Sequence, residues 1–222
     1  MESKTFKNCV YIVLAILILV FYTKDINLFG QKFYHNIKTI ENPNNIDVLV
    51  NKNNKLDAYY IPNDLELINV EFATEDKYMR KEAKEHFEKL SSAAKKNNYE
   101  IIAVSTYRNY EYQDKLFNYY VETKGLEYAL ECSARPGHSE HQTGLAVDVM
   151  GSNKDYDEFE QSKEFDWMIK NCYKYGFILR YPRGKENITG FKYEPWHYRY
   201  VGVNLAKYLY ENNLTLEEYY SK

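Results

Sequence analysis

The chain has 222 residues and a mass of 26.5 kDa, enough for one domain of ordinary size with extensions but not for two full domains. At 45% hydrophobic and 27% charged residues it can build a core, which excludes a disordered tail. A net charge of −3 and a pI near 6.0 give no electrostatic basis for a nucleic-acid partner.

Residues 9–22 carry no charge and are bracketed by Lys4, Lys7, Lys24 and Asp25. A helix of that length spans roughly 21 Å, short of the ~30 Å hydrocarbon core, which fits a short anchor with snorkelling lysines. No pair of small residues three apart follows Tyr22 as a cleavage site requires. Residues 1–24 are therefore expected to be an uncleaved signal anchor that places Thr23 onward outside the cytoplasm. A cleaved signal peptide and a buried helix are the alternatives. Residues 25–47, rich in Asn and Lys, read as a stalk, and the domain proper is expected over 48–222.

The stretch 48–50 reads as a short strand followed by a turn at 51–54, and Pro62-Asn63-Asp64 as a further turn. Residues 76–97 give the clearest helix, because Met79, Ala83, Phe87, Leu90 and Ala94 form one apolar stripe among charges. A buried strand is expected over 99–106 from its β-branched content, a helix over 109–123 stopped near Gly125, and a strand over 145–150. A helix over 159–175 would end at Gly176. Strands over 177–181 and 198–201 precede a closing helix over 202–213. Helices and strands mix without a βαβ rhythm, so the expected class is α+β, with a small, mainly antiparallel sheet flanked by helices.

Cysteine supplies no four-ligand zinc pattern. Cys9 lies at the apolar segment, while Cys132 and Cys172 could pair outside the cell, a question their spacing leaves open. Of the five histidines, His35 falls in the stalk and His86 on a charged helix surface. His138, His141 and His197 lie in denser surroundings. Asp148 stands between Val147 and Val149 in an apolar strand, where an ionised carboxylate is costly unless paired or metal-bound. A loop could return His141 beside it. Glu194 lies three residues before His197, but Pro195 forces an extended conformation and excludes the helical His-Glu-x-x-His arrangement. A regular strand would send Glu194 and His197 to opposite faces, so both serve one site only if the backbone bends at Pro195.

Two histidines and one aspartate, with a fourth position left to water, make a catalytic zinc set. Glu194 is then placed to take and return the water's proton, and Arg108 to stabilise charge on an attacked carbonyl. The plainer alternative makes His141 and His197 satisfied polar residues near turns, with Asp148 salt-bridged to Arg108 or Arg199.

At these residues the sequence resembles the VanY-like zinc D-alanyl-D-alanine carboxypeptidases of bacterial cell walls. The pattern Ser-x-His-x-x-Gly-x-Ala-x-Asp stands as Ser139, His141, Gly144, Ala146 and Asp148. Glu-x-x-His stands as Glu194-Pro-Trp-His197, and Ser-x-Tyr-Arg as Ser105-Thr-Tyr107-Arg108. The opening, Leu49 to Lys52 and then Tyr60 to Leu65, is also similar, and the likeness runs from about residue 48 to 212.

The resemblance implies one zinc ion held by His141, Asp148 and His197, with Glu194 as general base and then acid, and Arg108 as electrophilic stabiliser. It implies Ser139 as a substrate contact, with Tyr107 and Gln113 also lining the pocket, His138 at its rim, and Trp196 in its wall or in the core. The implied activity is that of a zinc D-alanyl-D-alanine carboxypeptidase, removing the C-terminal D-Ala from peptidoglycan stem peptides. L,D-carboxypeptidase or endopeptidase action by the same site, and an inactive peptidoglycan-binding module, are the alternatives.

Overall fold

The computed structural model describes residues 33–152 and 158–221. A two-residue parallel pair, β1 (Lys38–Thr39) with β2 (Asn54–Lys55), and an antiparallel pair, β3 (Leu65–Leu67) with β4 (Tyr78–Arg80), precede the long helix α1 (Lys81–Lys96). Then follow β5 (Ile102–Ser105), α2 (Tyr110–Lys124), α3 (Leu126–Cys132), β6 (Ala146–Met150), α4 (Lys163–Asn171), β7 (Phe177–Leu179) and β8 (His197–Tyr200). The short helices α5 (Val203–Asn212) and α6 (Leu216–Tyr220) close the described chain. The main sheet has the order β5-β6-β8-β7, and every pair in it is antiparallel. The α+β expectation is met.

One face of this sheet is apolar. Val147, Val149, Tyr198 and Tyr200 point into a core with Ala83, Phe87, Leu90 and Ala94 of α1, the stripe expected from the sequence. Each large apolar side chain buried this way contributes about 1.5–3 kcal/mol. The opposite face takes the alternate residues, because side chains on a strand alternate with a period of two. Asp148, His197 and Arg199 therefore share the far side.

The expected helix over 76–97 starts only at Lys81. Residues 78–80 pair with Leu65–Leu67 instead, so Met79 reaches the core from a strand. The expected helix over 159–175 is divided: a 3-10 turn at Phe159–Gln161, then α4, then a 3-10 turn at Cys172–Tyr175. Gly176 ends it with φ +84°, and a Cβ there would lie 2.5 Å from the Tyr200 ring. The helices α3 and α6 were not anticipated.

Residues 48–50 do not form the expected strand. The Arg199 guanidinium instead takes the carbonyls of Ile46 at 2.9 Å and Val48 at 2.8 Å. The stalk expectation for 25–47 is corrected over its second half, since residues 33–47 lie on the domain. Phe33 is buried, Ile40 and Ile46 pack on the core, and the Asp47 carbonyl accepts from the Tyr220 hydroxyl. These apolar residues are interleaved with polar ones, which is why the segment's composition resembled a linker. The anchor expected at 1–24 lies outside the described residues. Among the described residues no helix is long and apolar enough to cross a membrane. Cys132 and Cys172 are both free thiols.

Candidate active site

Strand register builds the site. Asp148 on β6 stands directly opposite His197 on β8, with Oδ1 2.8 Å from Nδ1. Ser105 on β5 faces Asp148 from the other side, after a register shift between Ala103 and Ser105. Such irregularities re-aim side chains at functional sites. His141 arrives from a 3-10 turn, Glu140–Thr143, that closes at Gly144 with φ +66°. A side chain at Gly144 would press on Leu65 at 2.8 Å and on Arg80 at 3.1 Å. This turn folds the chain back so that His141 Nε2 lies 3.3 Å from Asp148 Oδ2.

The tautomer of His141 follows from its partner. Its Nδ1 is 2.7 Å from the Thr106 carbonyl, which can only accept, so Nδ1 carries the proton and Nε2 presents a lone pair. Burial, followed by the Arg108 charge, lowers its pKa to about 4, so the ring is neutral near pH 7. The Asp148 carboxyl is buried, yet His141 and His197 hold it well below the usual carboxylate range. Burial works against protonation of His197, but hydrogen bonds to Asp148 and Glu140 prevail and raise it to about 9. A cation bound at this ring must displace a proton.

All three side chains are buried, and their ligand atoms lie within 4.8 Å of one another. Two imidazoles and a carboxylate fit a catalytic zinc ion, which takes three protein ligands and keeps a position open.

Glu194 completes the group. The turn expected at Pro195 is present, with the His197 amide donating to the Glu194 carbonyl at 3.2 Å. It brings Glu194 Oε2 to 3.8 Å from His197 Nδ1. Burial pushes the Glu194 carboxyl up to about 7, against the pull of His197. Arg108 donates from Nη1 to Ser105 Oγ at 2.7 Å and from Nε to Gln113 Oε1 at 3.2 Å. Its Nη1 also lies 3.7 Å from Asp148 Oδ2.

Arg108, Ser139, His141, Asp148, Glu194 and His197 all line one cavity of about 410 Å³. Trp196 serves as both wall and core. Gln113 and Tyr107 are not among the lining residues. Gln113 is buried and donates to Ser133 Oγ and the Ala134 carbonyl while accepting from Arg108, so it orients that guanidinium. Tyr107 precedes Arg108 after the end of β5, and its amide donates to the Tyr78 carbonyl at 3.0 Å. His138 is not at the rim: it is buried against Tyr34, with Nδ1 on the Asn51 carbonyl.

Sequence reasoning missed the buried ion network beneath the metal set. Glu140 Oε1 accepts from Arg180 Nε and Arg199 Nη1, each at 2.8 Å. Arg180 also forks onto Glu217 at 2.8 and 2.7 Å. Arg199, set between Tyr198 and Tyr200, was its one signal. Nearby, the buried Lys52 amine donates to the carbonyls of Leu130 and Gly190. It lies 4.4 Å from the Phe191 ring centre and 5.4 Å from those of Phe33 and Tyr34. It thereby ties two walls of the cavity to the N-terminal segment.

A family model described as VanY, D-alanyl-D-alanine carboxypeptidase, matches residues 76–203, a span that contains Arg108, Ser139, His141, Asp148, Glu194 and His197. The chain belongs to the VanY family. The Bacillus subtilis (strain 168) protein YodJ, whose name assigns it only provisionally as a carboxypeptidase, is 47% identical over 84% of this chain and 71% of its own. A solved structure of the L,D-carboxypeptidase LdcB is 47% identical with a TM-score of 0.79, covering 85% of this chain and 91% of that one. A mutant of the vancomycin-resistance D,D-pentapeptidase VanY, in complex with Zn(II), is 32% identical with a TM-score of 0.68, covering 79% and 98%. VanY-family membership makes the chain a carboxypeptidase by descent, with zinc as the family's metal.

Proposed function

We propose that this chain is a zinc-dependent carboxypeptidase that releases the C-terminal D-Ala from peptidoglycan stem peptides. The observation that carries the reading is one cavity holding a His-Asp-His donor set, a buried carboxyl with its pKa near neutrality, and a guanidinium. His141, Asp148 and His197 would hold the ion, which when bound supplies Lewis acidity toward a carbonyl and lowers the pKa of water to about 7. Glu194 takes a proton from the attacking water and passes it to the departing D-Ala amine; a pKa near 7 suits both halves of that exchange. Arg108, oriented by Ser105 and Gln113, offers its guanidinium to charge developing on the carbonyl oxygen. Ser139 contacts substrate beside the scissile bond. An intact general base argues against a binding module.

Two penultimate residues fit this chemistry. We place the L,D reading, D-Ala released from a tetrapeptide stem, ahead of the D,D reading, D-Ala released from a pentapeptide stem. The greater likeness to LdcB supports that order. Action on peptidoglycan puts the domain outside the cytoplasm, with residues 1–24 as its membrane anchor. The test offers purified protein each peptide separately and measures free D-Ala. Release from the tetrapeptide alone supports the L,D reading, release from the pentapeptide alone reverses the order, and release from neither removes the carboxypeptidase assignment.

A further inference from the structure

Glu140 occupies an undefined position of the Ser-x-His pattern, yet its side chain is fully buried directly under the metal set. Its two oxygens have different partners. Oε1 is shared by Arg180 and Arg199 at 2.8 Å each. Oε2 lies 3.4 Å from His197 Nε2, its one hydrogen-bonding partner among the described residues. Both guanidiniums are themselves fixed. Arg180 forks onto Glu217 of α6, and Arg199 donates to the carbonyls of Ile46, Val48 and Tyr200. The carboxylate of Glu140 is therefore clamped from below, with one oxygen aimed at an imidazole.

We infer that Glu140 is the positioning residue for the metal ligand His197: its Oε2 keeps the proton on Nε2 and turns Nδ1 toward Asp148. The inference rests on the metal-site reading above. A carboxylate between two guanidiniums can only accept, so the imidazole nitrogen facing it must donate. The opposite nitrogen, Nδ1, faces Asp148 Oδ1 at 2.8 Å and Glu194 Oε2 at 3.8 Å, so that is the atom left to bind a cation. His141 is held the other way round, with Nδ1 donating to Thr106 and Nε2 toward Asp148. The two imidazoles thus present different nitrogens to one point, each selected by the partner of its other nitrogen. Outer partners of this kind commonly change metal affinity 10–100-fold when removed.

Because Glu140 is also part of an ion network, its loss must be separated from a general loss of stability. Glu217→Gln cuts the same network at its far end without touching His197. Zinc affinity is measured for wild type, Glu140→Gln and Glu217→Gln by competition with a chromophoric chelator. Glu140→Gln is expected to bind zinc about 10–100-fold more weakly, with activity returning at saturating zinc, and Glu217→Gln to bind zinc as wild type does. Equal affinity for wild type and a folded Glu140→Gln overturns the role of Glu140 and leaves the metal site standing. Absence of zinc binding by wild type overturns both. Long-range ¹H–¹⁵N correlation of zinc-loaded wild type decides the matter even if Glu140→Gln does not fold. His197 is expected to carry its proton on Nε2 and His141 on Nδ1; a proton on His197 Nδ1 overturns the inference.

Discussion

Asp148 and His197 face each other across adjacent antiparallel strands, with Oδ1 2.8 Å from Nδ1. The pairing register that lays Val147 and Tyr198 into the core thereby sets the proposed metal ligands on the opposite face. A slip of one residue would exchange the two faces, so packing on α1 holds the donor set in place.

Removing one ligand should therefore abolish tight zinc binding while leaving the fold intact. Asp148→Asn keeps the shape but loses the charge that offsets the ion. It is expected to purify with far less than one zinc per chain, read by metal analysis, and with a far-ultraviolet circular dichroism spectrum like wild type. Full zinc content in this variant would remove Asp148 from the donor set.

Glu194 lies outside the three ligands, so Glu194→Ala should separate binding from chemistry. Zinc content is expected to stay at the wild-type level while kcat falls about 10²–10⁴-fold, the usual contribution of a positioned acid-base group. Unchanged kcat with bound zinc would assign the proton transfer elsewhere.

The four strands of the main sheet, and the meeting of His141, Asp148 and His197, were legible in the sequence for a physical reason. Asp148 interrupts an apolar run, and an unpaired charge is too costly in such a strand to stand without a role. Pro195 likewise announced the bend that lets Glu194 and His197 share a site. What stayed hidden depended on long-range partners. Nothing local to Glu140 shows that Arg180, just past the end of β7, and Arg199 of β8 will meet it. The segment 33–47 looked like a linker because its buried Phe33 and half-buried Ile40 and Ile46 follow no regular period. Gln113 was placed near the cavity by resemblance, but only the structure shows its amide spent on Ser133 and Ala134.

Arg108 holds fixed donor geometry through Ser105 and Gln113, which a lysine ammonium cannot reproduce. Arg108→Lys is expected to lower kcat about 10²–10³-fold, as when one donor to a developing oxyanion is lost, with zinc content unchanged. Steady-state kinetics check this; a loss confined to KM would place Arg108 in ground-state binding alone.

Burial pulls the Lys52 amine down to about 7, whereas an unfolded lysine keeps its proton to about 10.4. Between these values the unfolded chain binds more protons, so this group makes stability rise with pH from about 7 to 10.4 and contributes no slope below 7. Lys52→Met should remove that slope. Urea unfolding of both proteins at pH 6, 7, 8 and 9 reads the difference. A stability of wild type minus variant that rises with pH above 7 agrees, and a constant difference contradicts a neutral buried amine.

The most direct test of a metal-dependent hydrolase built on His141, Asp148, His197 and Glu194 is D-Ala release from stem peptides before chelation, after chelation and after zinc is returned. Release is expected to stop when the metal is stripped and to recover with about one equivalent of zinc, the stoichiometry of a single three-ligand site. Release that continues at full rate from metal-free protein would contradict metal dependence.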